Sequence, residues 1–250
     1  MVTSIEKTQS DKISELVKSC NLEHIAIIMD GNRRWAKSKF LPTAAGHTQG
    51  VKALKDTVKN CKKLGIKALT VYAFSTENWG RAKEEVTFLM KLLTNTIEHE
   101  LYDLYENNVK IKFIGDLSRF SKELNLAIQN AEKRTENNNE FLLQIAINYG
   151  GRDEIKNAVK TIAEKVKTGE INPEDITEET IQKALYNPNV KEPDLLIRTG
   201  GEMRVSNFLL WQIAYSEFYV TPAFWPEFNE EELEKAIISF SSRVRRFGKN

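Results

Sequence analysis

Three short stretches of the sequence gather side chains suited to phosphate chemistry. The first is Asp30-Gly31-Asn32-Arg33-Arg34-Trp35. Gly31 lets the backbone turn sharply or come close to a ligand. The residues after it start a helix whose free N–H groups favour an anion, and Arg34 adds a charge-assisted donor. Asp30 does not suit a pure anion site. A carboxylate beside phosphate makes sense when a cation such as Mg²⁺ bridges them. A solvated turn with an ordinary cap explains this hexapeptide equally well.

The second stretch is Ser75-Thr76-Glu77-Asn78-Trp79-Gly80-Arg81. A surface loop is its ordinary reading. Trp79 argues against that, because a lone Trp in a polar loop packs on a ligand or acts as a lid. The third runs from Arg198 to Asn207, where a short apolar strand delivers Arg198 to Gly200-Gly201. Arg204 and Ser206 follow, two residues apart, so in an extended stretch they share a side. Two Arg and a Ser beside flexible backbone amides suit a diphosphate. A pair of structural salt bridges is the competing reading.

Other chemistries fail on inspection. The sequence contains no GxxxxGK[ST] and no GxGxxG, and neither HExxH nor GxSxG. No two aspartates are adjacent, so an aspartate-rich metal motif is excluded. Of the histidines, His24 opens an apolar strand and reads as structural, and His99 lies on the charged side of a helix. His47 follows Gly46 just after the first phosphate-like loop and can reach the same cleft.

Composition bounds the rest. The 250 residues carry 36 Lys+Arg against 35 Asp+Glu, a formal charge of +1, which argues against gripping nucleic acid by bulk charge. A chain of this length buries roughly 70–75% of its unfolded surface and needs no staples. Cys20 and Cys61 lack CxxC spacing, so a cysteine zinc site is out and a disulfide framework is not expected. No signal-like or membrane-spanning apolar run is visible, and the chain reads as cytoplasmic.

These loops need a frame. Residues 24–29, 68–74, 109–114, 141–147, 195–197 and 214–220 are short, apolar and partly β-branched. Helical periods lie between them: Val51 to Leu64, a long one over 83–106, Ile155 to Val166, and Leu233, Ile237, Phe240 and Val244. The alternation predicts a single-domain α/β fold with a mostly parallel central sheet of about six strands flanked by helices. In such sheets ligands sit beyond the carboxyl ends of the strands, and the three polar stretches fall there.

Together these residues resemble the cis-prenyltransferase family, most closely its bacterial branch. The likeness rests on residues 24–32, 72–79, 148–152, 194–207, 211–218 and 245–248, in the family's order. It covers about residues 22–248, leaving 1–21 as an N-terminal extension to one domain. It implies a hydrophobic tunnel and the Mg²⁺-dependent condensation of farnesyl diphosphate with successive isopentenyl diphosphates. The product is then a long-chain cis-polyprenyl diphosphate, a lipid carrier for cell-wall synthesis. It further implies a homodimer in the cytoplasm, with peripheral membrane contact for product release and no nucleic-acid partner.

Residue by residue, the resemblance makes Asp30 the Mg²⁺ holder and, with Asn78, catalytic. Gly31, Asn32, Arg33, Arg34, Trp35 and His47 bind the allylic diphosphate, joined by Ser75, Glu77, Trp79 and Arg81 from a closing loop. Arg198, Arg204 and Ser206 bind isopentenyl diphosphate, with Arg246 and Gly248 of a C-terminal R-x-G element reaching the partner subunit's site. Glu217 assists at the metal or at the dimer contact. Three positions depart from the common pattern: Arg33 stands where Gly is frequent, Thr43 where Arg is frequent, and Met203 where His is frequent. The proton acceptor stays open between a diphosphate oxygen and Asn78 acting through a neighbour. Phe141 or Leu143 is expected to set the tunnel floor, so that Phe141→Ala lengthens the product. Competing readings are a member of different chain length, a non-catalytic partner subunit of a two-protein enzyme, and a generic phosphate-binding α/β enzyme.

Overall fold

Strands that are apolar on both faces need cover on both faces, and the structure provides it. The computed structural model describes residues 8–243. Its strands are β1 (His24–Ile28), β2 (Ala68–Ser75), β3 (Val109–Ile114), β4 (Phe141–Tyr149), β5 (Leu195–Arg198) and β6 (Glu217–Val220). They form one six-stranded sheet in the order β3-β4-β2-β1-β5-β6. Every neighbouring pair is parallel, which is the α/β architecture expected.

The helices are α1 (Gln9–Ser19), α2 (Asn32–Ser38), α3 (Thr43–Lys63), α4 (Lys83–Asn95), α5 (Tyr102–Glu106), α6 (Lys122–Arg134), α7 (Gly151–Lys167), α8 (Glu178–Ala184) and α9 (Glu230–Ser241). One sheet face packs Ile25, Ile27, Leu69, Val71, Leu143 and Ile145 against Val17 of α1, Val58 of α3, Ile128 of α6 and Ile237 of α9. The other packs Ala26, Ile28, Ala146 and Leu196 with Tyr149, Phe208, Leu209 and Ile213. On that face Tyr149 donates to Glu154 of α7. The described part of the N-terminal extension is built into the core. Ile13 and Val17 are buried, each contributing about 1.5–3 kcal/mol by leaving water.

Three local features differ from the periodic reading. The helix expected over 83–106 is interrupted by a π-turn at Thr96–Glu100, closed by a bond from Leu101 N–H to the Thr96 carbonyl at 3.1 Å. Ile97, Leu101 and Leu104 are all buried in the core. The last strand begins at Glu217 rather than Ala214, because Ser216 N–H bonds the Ile213 carbonyl in a turn. Between β2 and β4 the ladder carries two opposed one-residue bulges. Ala73 is the extra residue on β2 and Asn148 the extra residue on β4, after which Ser75 again faces Tyr149. Val244, the last position of the final helical period, lies outside the described residues.

β1 lies between β2 and β5. The chain leaves β1 toward β2 and leaves β5 toward β6, so the two connections diverge. That divergence opens a crevice at the carboxyl ends of β1 and β5, the place where open parallel sheets bind ligands.

Candidate active site

Strand register sets the first contact. Ile28 at the end of β1 pairs with Arg198 at the end of β5, and Asp30 follows two residues later. The Asp30 carbonyl accepts from Thr199 Oγ1 at 2.6 Å and from Trp225 N–H at 3.0 Å, which fixes its backbone. Its carboxylate then meets two guanidinium groups. Arg198 Nη2 donates to Oδ2 at 2.9 Å, and Arg34 Nη2 lies 3.0 Å from Oδ1. Burial raises the Asp30 pKa, but the bonds from Arg198 and Arg34 outweigh it and hold the carboxyl below its ordinary value.

Arg198 is a hub. Its side chain is 7% exposed, and Nη1 donates to Ser206 Oγ at 2.7 Å and to the Arg204 carbonyl. Its Nε is buried with no protein partner. Arg34 donates to the Gly200 carbonyl at 2.7 Å and lies over the Phe224 ring. Gly31 makes this approach possible. Its φ is +109°, and a Cβ there would fall 2.7 Å from Phe224 Cδ1 and 3.0 Å from Phe224 Cα.

The cleft has two lobes that share Asp30, Asn32, His47 and Arg81. The outer lobe, of about 890 Å³, is lined by Gly31, Arg33, Arg34, Lys37 and Thr43 among others. The inner lobe, of about 540 Å³, is lined by Ser75, Glu77, Asn78, Arg198, Arg204 and Ser206 among others. Ser75 and Glu77, expected with the allylic group, therefore lie with the Arg198 set. An apolar cavity of about 110 Å³ adjoins the inner lobe, sharing Met29, Asn32, His47, Ala73 and Leu89 with it. Val51, Leu54, Leu93, Ile97, Leu101 and Ile145 form much of its wall. Its β4 contribution is Ile145. Leu143 and Phe141 continue the same face but stay in the sealed core.

His47 is partly buried at the junction, its Nε2 3.6 Å from Glu85 Oε1. Burial and the nearby Arg81 push its pKa down against the pull of Glu85, which favours a neutral ring. Glu85 also pairs with Arg81 at 3.0 Å and lies 3.7 Å from Arg33. Sequence reasoning passed over Glu85. Its position one helical turn after Arg81 is the signal that would have found it. Lys37, one turn after Arg33, and Asn207, next to Ser206, were passed over likewise.

Several expected residues stand elsewhere. Trp79 is neither a lid nor a wall of either lobe. Its Nε1–H donates to Asn148 Oδ1 at 2.8 Å, its ring meets Phe74 edge-on, and Arg119 lies over it. It anchors the loop from behind. Asn78 Oδ1 accepts from Ser75 N–H at 3.1 Å and closes the same turn. Trp35 points away from the cleft and bonds Glu227 at 3.2 Å. Ser206 reaches Arg198 through a left-handed turn, φ +47°, rather than along an extended stretch. Glu217 does not join Asp30 as a metal ligand within one chain. It opens β6 opposite Leu195, at the far end of the strands, and pairs with Arg243 at 2.8 Å. Arg246 and Gly248 lie outside the described residues.

No cluster of three or more His, Cys, Asp or Glu that could hold a metal exists among the described residues. One carboxylate nonetheless fits Mg²⁺, which is usually held by one or two carboxylates plus substrate phosphates and water. Asp30 stands at the shared wall of two cationic lobes, where phosphates would complete such a shell. Asn32 Oδ1 is buried without a protein partner, turned toward Gly50 of α3.

A parallel sheet whose switch point carries two cationic lobes beside an apolar chamber defines an α/β protein built for amphipathic anions. Comparison with known proteins narrows the class. Residues 28–248 match the prenyltransferase family model described for undecaprenyl diphosphate synthase, and the chain belongs to that family. An isoprenyl transferase of Clostridium perfringens is 52% identical over 226 residues, 90% of this chain and 89% of that protein. A farnesyl-diphosphate-specific ditrans,polycis-undecaprenyl-diphosphate synthase of Pseudomonas putida is 50% identical, covering 90% of each. Among solved structures, lavandulyl diphosphate synthase from Lavandula x intermedia, in complex with dimethylallyl diphosphate, matches with a TM-score of 0.90 and 40% identity over 92% of this chain and all of that one. A probable undecaprenyl diphosphate synthase from Campylobacter jejuni matches with a TM-score of 0.76 and 35% identity, over 91% and 99%.

Proposed function

We propose that this chain condenses farnesyl diphosphate with successive isopentenyl diphosphates in cis, giving undecaprenyl diphosphate as a carrier for cell-wall sugars. The observation that carries the reading is the junction itself. Two arginine-lined lobes meet at Asp30, and the inner one continues into an apolar cavity past Ala73 and Asn32. One lobe suits each diphosphate, and the cavity suits the growing tail.

The residues divide the work. Arg33, Arg34 and Lys37 hold the allylic diphosphate, so negative charge on the departing group meets fixed donors. Arg198, Arg204 and Ser206 hold the second diphosphate and aim its alkene at the allylic carbon, within the roughly 3–3.5 Å that bond formation needs. Asp30 would hold Mg²⁺, which when bound neutralises phosphate charge and helps the leaving group depart. The proton lost after condensation goes to a diphosphate oxygen. Asn78 is not assigned that role, because a carboxamide has no basic site that could keep the proton at neutral pH, and its Oδ1 holds the turn through the Ser75 amide.

We further read the enzyme as a cytoplasmic homodimer that touches the membrane to release product. Exposed Tyr215, just before edge strand β6, and exposed Phe218, within it, support a partner surface. No helix among the described residues is long and apolar enough to cross a membrane. A shorter product is the second reading, favoured by the small cavity. The intact Asp30-Gly31-Asn32 and Arg204–Ser206 elements count against a non-catalytic subunit. One assay separates these readings. The purified chain is given both diphosphates with Mg²⁺ or with chelator, and product length is read by chromatography. Long cis products only with Mg²⁺ are expected. No condensation under any condition would reject the proposal.

A further inference from the structure

Asn207 belongs to no substrate subsite assigned above, yet it lines the inner lobe and joins three strand ends. Its φ of +63° follows the +47° of Ser206. Asn accepts this left-handed region more readily than most residues. The turn points Ser206 at Arg198 and carries Asn207 to the start of α7. There the Asn207 carbonyl accepts from Gly151 N–H at 2.7 Å, and its Oδ1 accepts from Arg152 N–H at 2.9 Å.

The first N–H groups of a helix have no partners of their own, and the α7 cap residue, Gly150, offers no side-chain bond. Asn207 supplies that cap from 55 residues away. With Oδ1 committed to the helix, the amide nitrogen must face outward. It donates to Glu77 Oε1 at 2.9 Å, in the loop after β2. The junction is tight. A Cβ on Gly150 would lie 2.7 Å from Asn207 Nδ2 and 2.8 Å from Thr76 Oγ1.

We propose that Asn207 is a positioning residue. It uses the α7 N-terminus as a fixed post to set the spacing between the Glu77 loop and the Arg198–Arg204–Ser206 cradle. It thereby holds the two walls of the inner lobe in register for the incoming diphosphate. The activity part of this inference rests on the function proposed above. The structural part does not.

The substitution Asn207→Asp separates the two bonds. A carboxylate keeps an acceptor for Arg152 N–H and suits a helix N-terminus, but it turns the tie to Glu77 into repulsion. Asn207→Ala loses both bonds. Hydrogen exchange followed by mass spectrometry reads them separately. In Asn207→Asp the peptides covering 75–81 should exchange about tenfold faster while the first turn of α7 stays protected. In Asn207→Ala both should quicken. In the same preparations, KM for isopentenyl diphosphate should rise about tenfold in Asn207→Asp, the scale of one lost bond to a charged group, with kcat less affected. Adding Glu77→Gln to Asn207→Asp reverses donor and acceptor and should lower that KM again. Unchanged exchange over 75–81 in Asn207→Asp, or exchange that quickens only throughout the protein, would overturn the proposal. An unsubstituted chain that fails to condense the two diphosphates would reject the function instead, leaving the exchange result to judge Asn207.

Discussion

Arg198 Nη2 lies 2.9 Å from Asp30 Oδ2, although the residues are 168 apart in the chain. Adjacent parallel strands bring them together, and Arg34 closes the other side of the carboxylate at 3.0 Å. Asp30 thus occupies an anion's place between two cations that the proposed function assigns to diphosphates.

Asp30→Asn should therefore act on both stability and turnover. It leaves Arg198 nearly buried without its charge partner, at a cost of about 1–3 kcal/mol at neutral pH. Because the folded carboxyl is held below its ordinary value, this contribution is full above about pH 4, the unfolded carboxylate value, and is lost as pH falls through the lower folded value. The Tm difference between parent and Asp30→Asn should narrow on acidification, and a difference constant down to strong acid would contradict the pairing. Product formation at neutral pH should fall about 10²–10³-fold.

Chelation should abolish condensation without unfolding the chain. A single carboxylate offers Mg²⁺ too few ligands to bind strongly before phosphates arrive. Tm without substrate should be the same with EDTA as with Mg²⁺, and a large drop on chelation would point to a structural ion instead.

Arg33 and Thr43 line the same lobe, so Arg33 can supply the donor that Thr43 lacks. Its side chain is 62% exposed and 3.7 Å from Glu85, so that ion pair adds little to stability. Arg33→Gln should change stability by less than about 0.5 kcal/mol and raise KM for farnesyl diphosphate about 3–10-fold. An unchanged KM would assign Arg33 to Glu85 alone.

Ala73 sits where the inner lobe opens into the apolar cavity. Ala73→Leu narrows that mouth and should shorten the product, read as a shift in the chromatographic ladder at unchanged KM for isopentenyl diphosphate. At about 110 Å³ the cavity is smaller than the roughly 150 Å³ that holds one benzene, so a long tail requires the walls to part. α4 is the wall suited to yield. It has no fully buried residue and is followed by the π-turn. Because the β4 wall of the cavity is Ile145, Phe141→Ala lengthens product only if elongation opens the chamber that far.

Much of this was legible from the residues. Short apolar strands alternating with helical periods announced a mostly parallel sheet, and the polar stretches at the strand ends announced the cleft. Asp30, Arg34, Arg198, Arg204 and Ser206 do converge. What stayed hidden depends on side-chain direction and on contacts distant in sequence. Nothing local shows that Trp79 turns back onto Asn148, or that Asn207 caps α7 at Arg152, 55 residues earlier. A 3.6-residue pattern cannot announce a π-turn, since Ile97, Leu101 and Leu104 fit a straight helix equally well. That Glu217 stands apart from Asp30 within the chain was not legible, because a motif gives order along the chain but not the end of the sheet at which each member stands. Its alternative place at a dimer contact is compatible with edge strand β6.

The offset pair at Ala73 and Asn148 bears on how this sequence can drift. Removing either residue alone would slide everything downstream by one place and turn inward-facing groups outward. Removing both would restore alignment while erasing the doorway to the greasy chamber and the peg that steadies Trp79. Length in this stretch can thus change only in matched steps, and even matched steps cost the machinery its entrance.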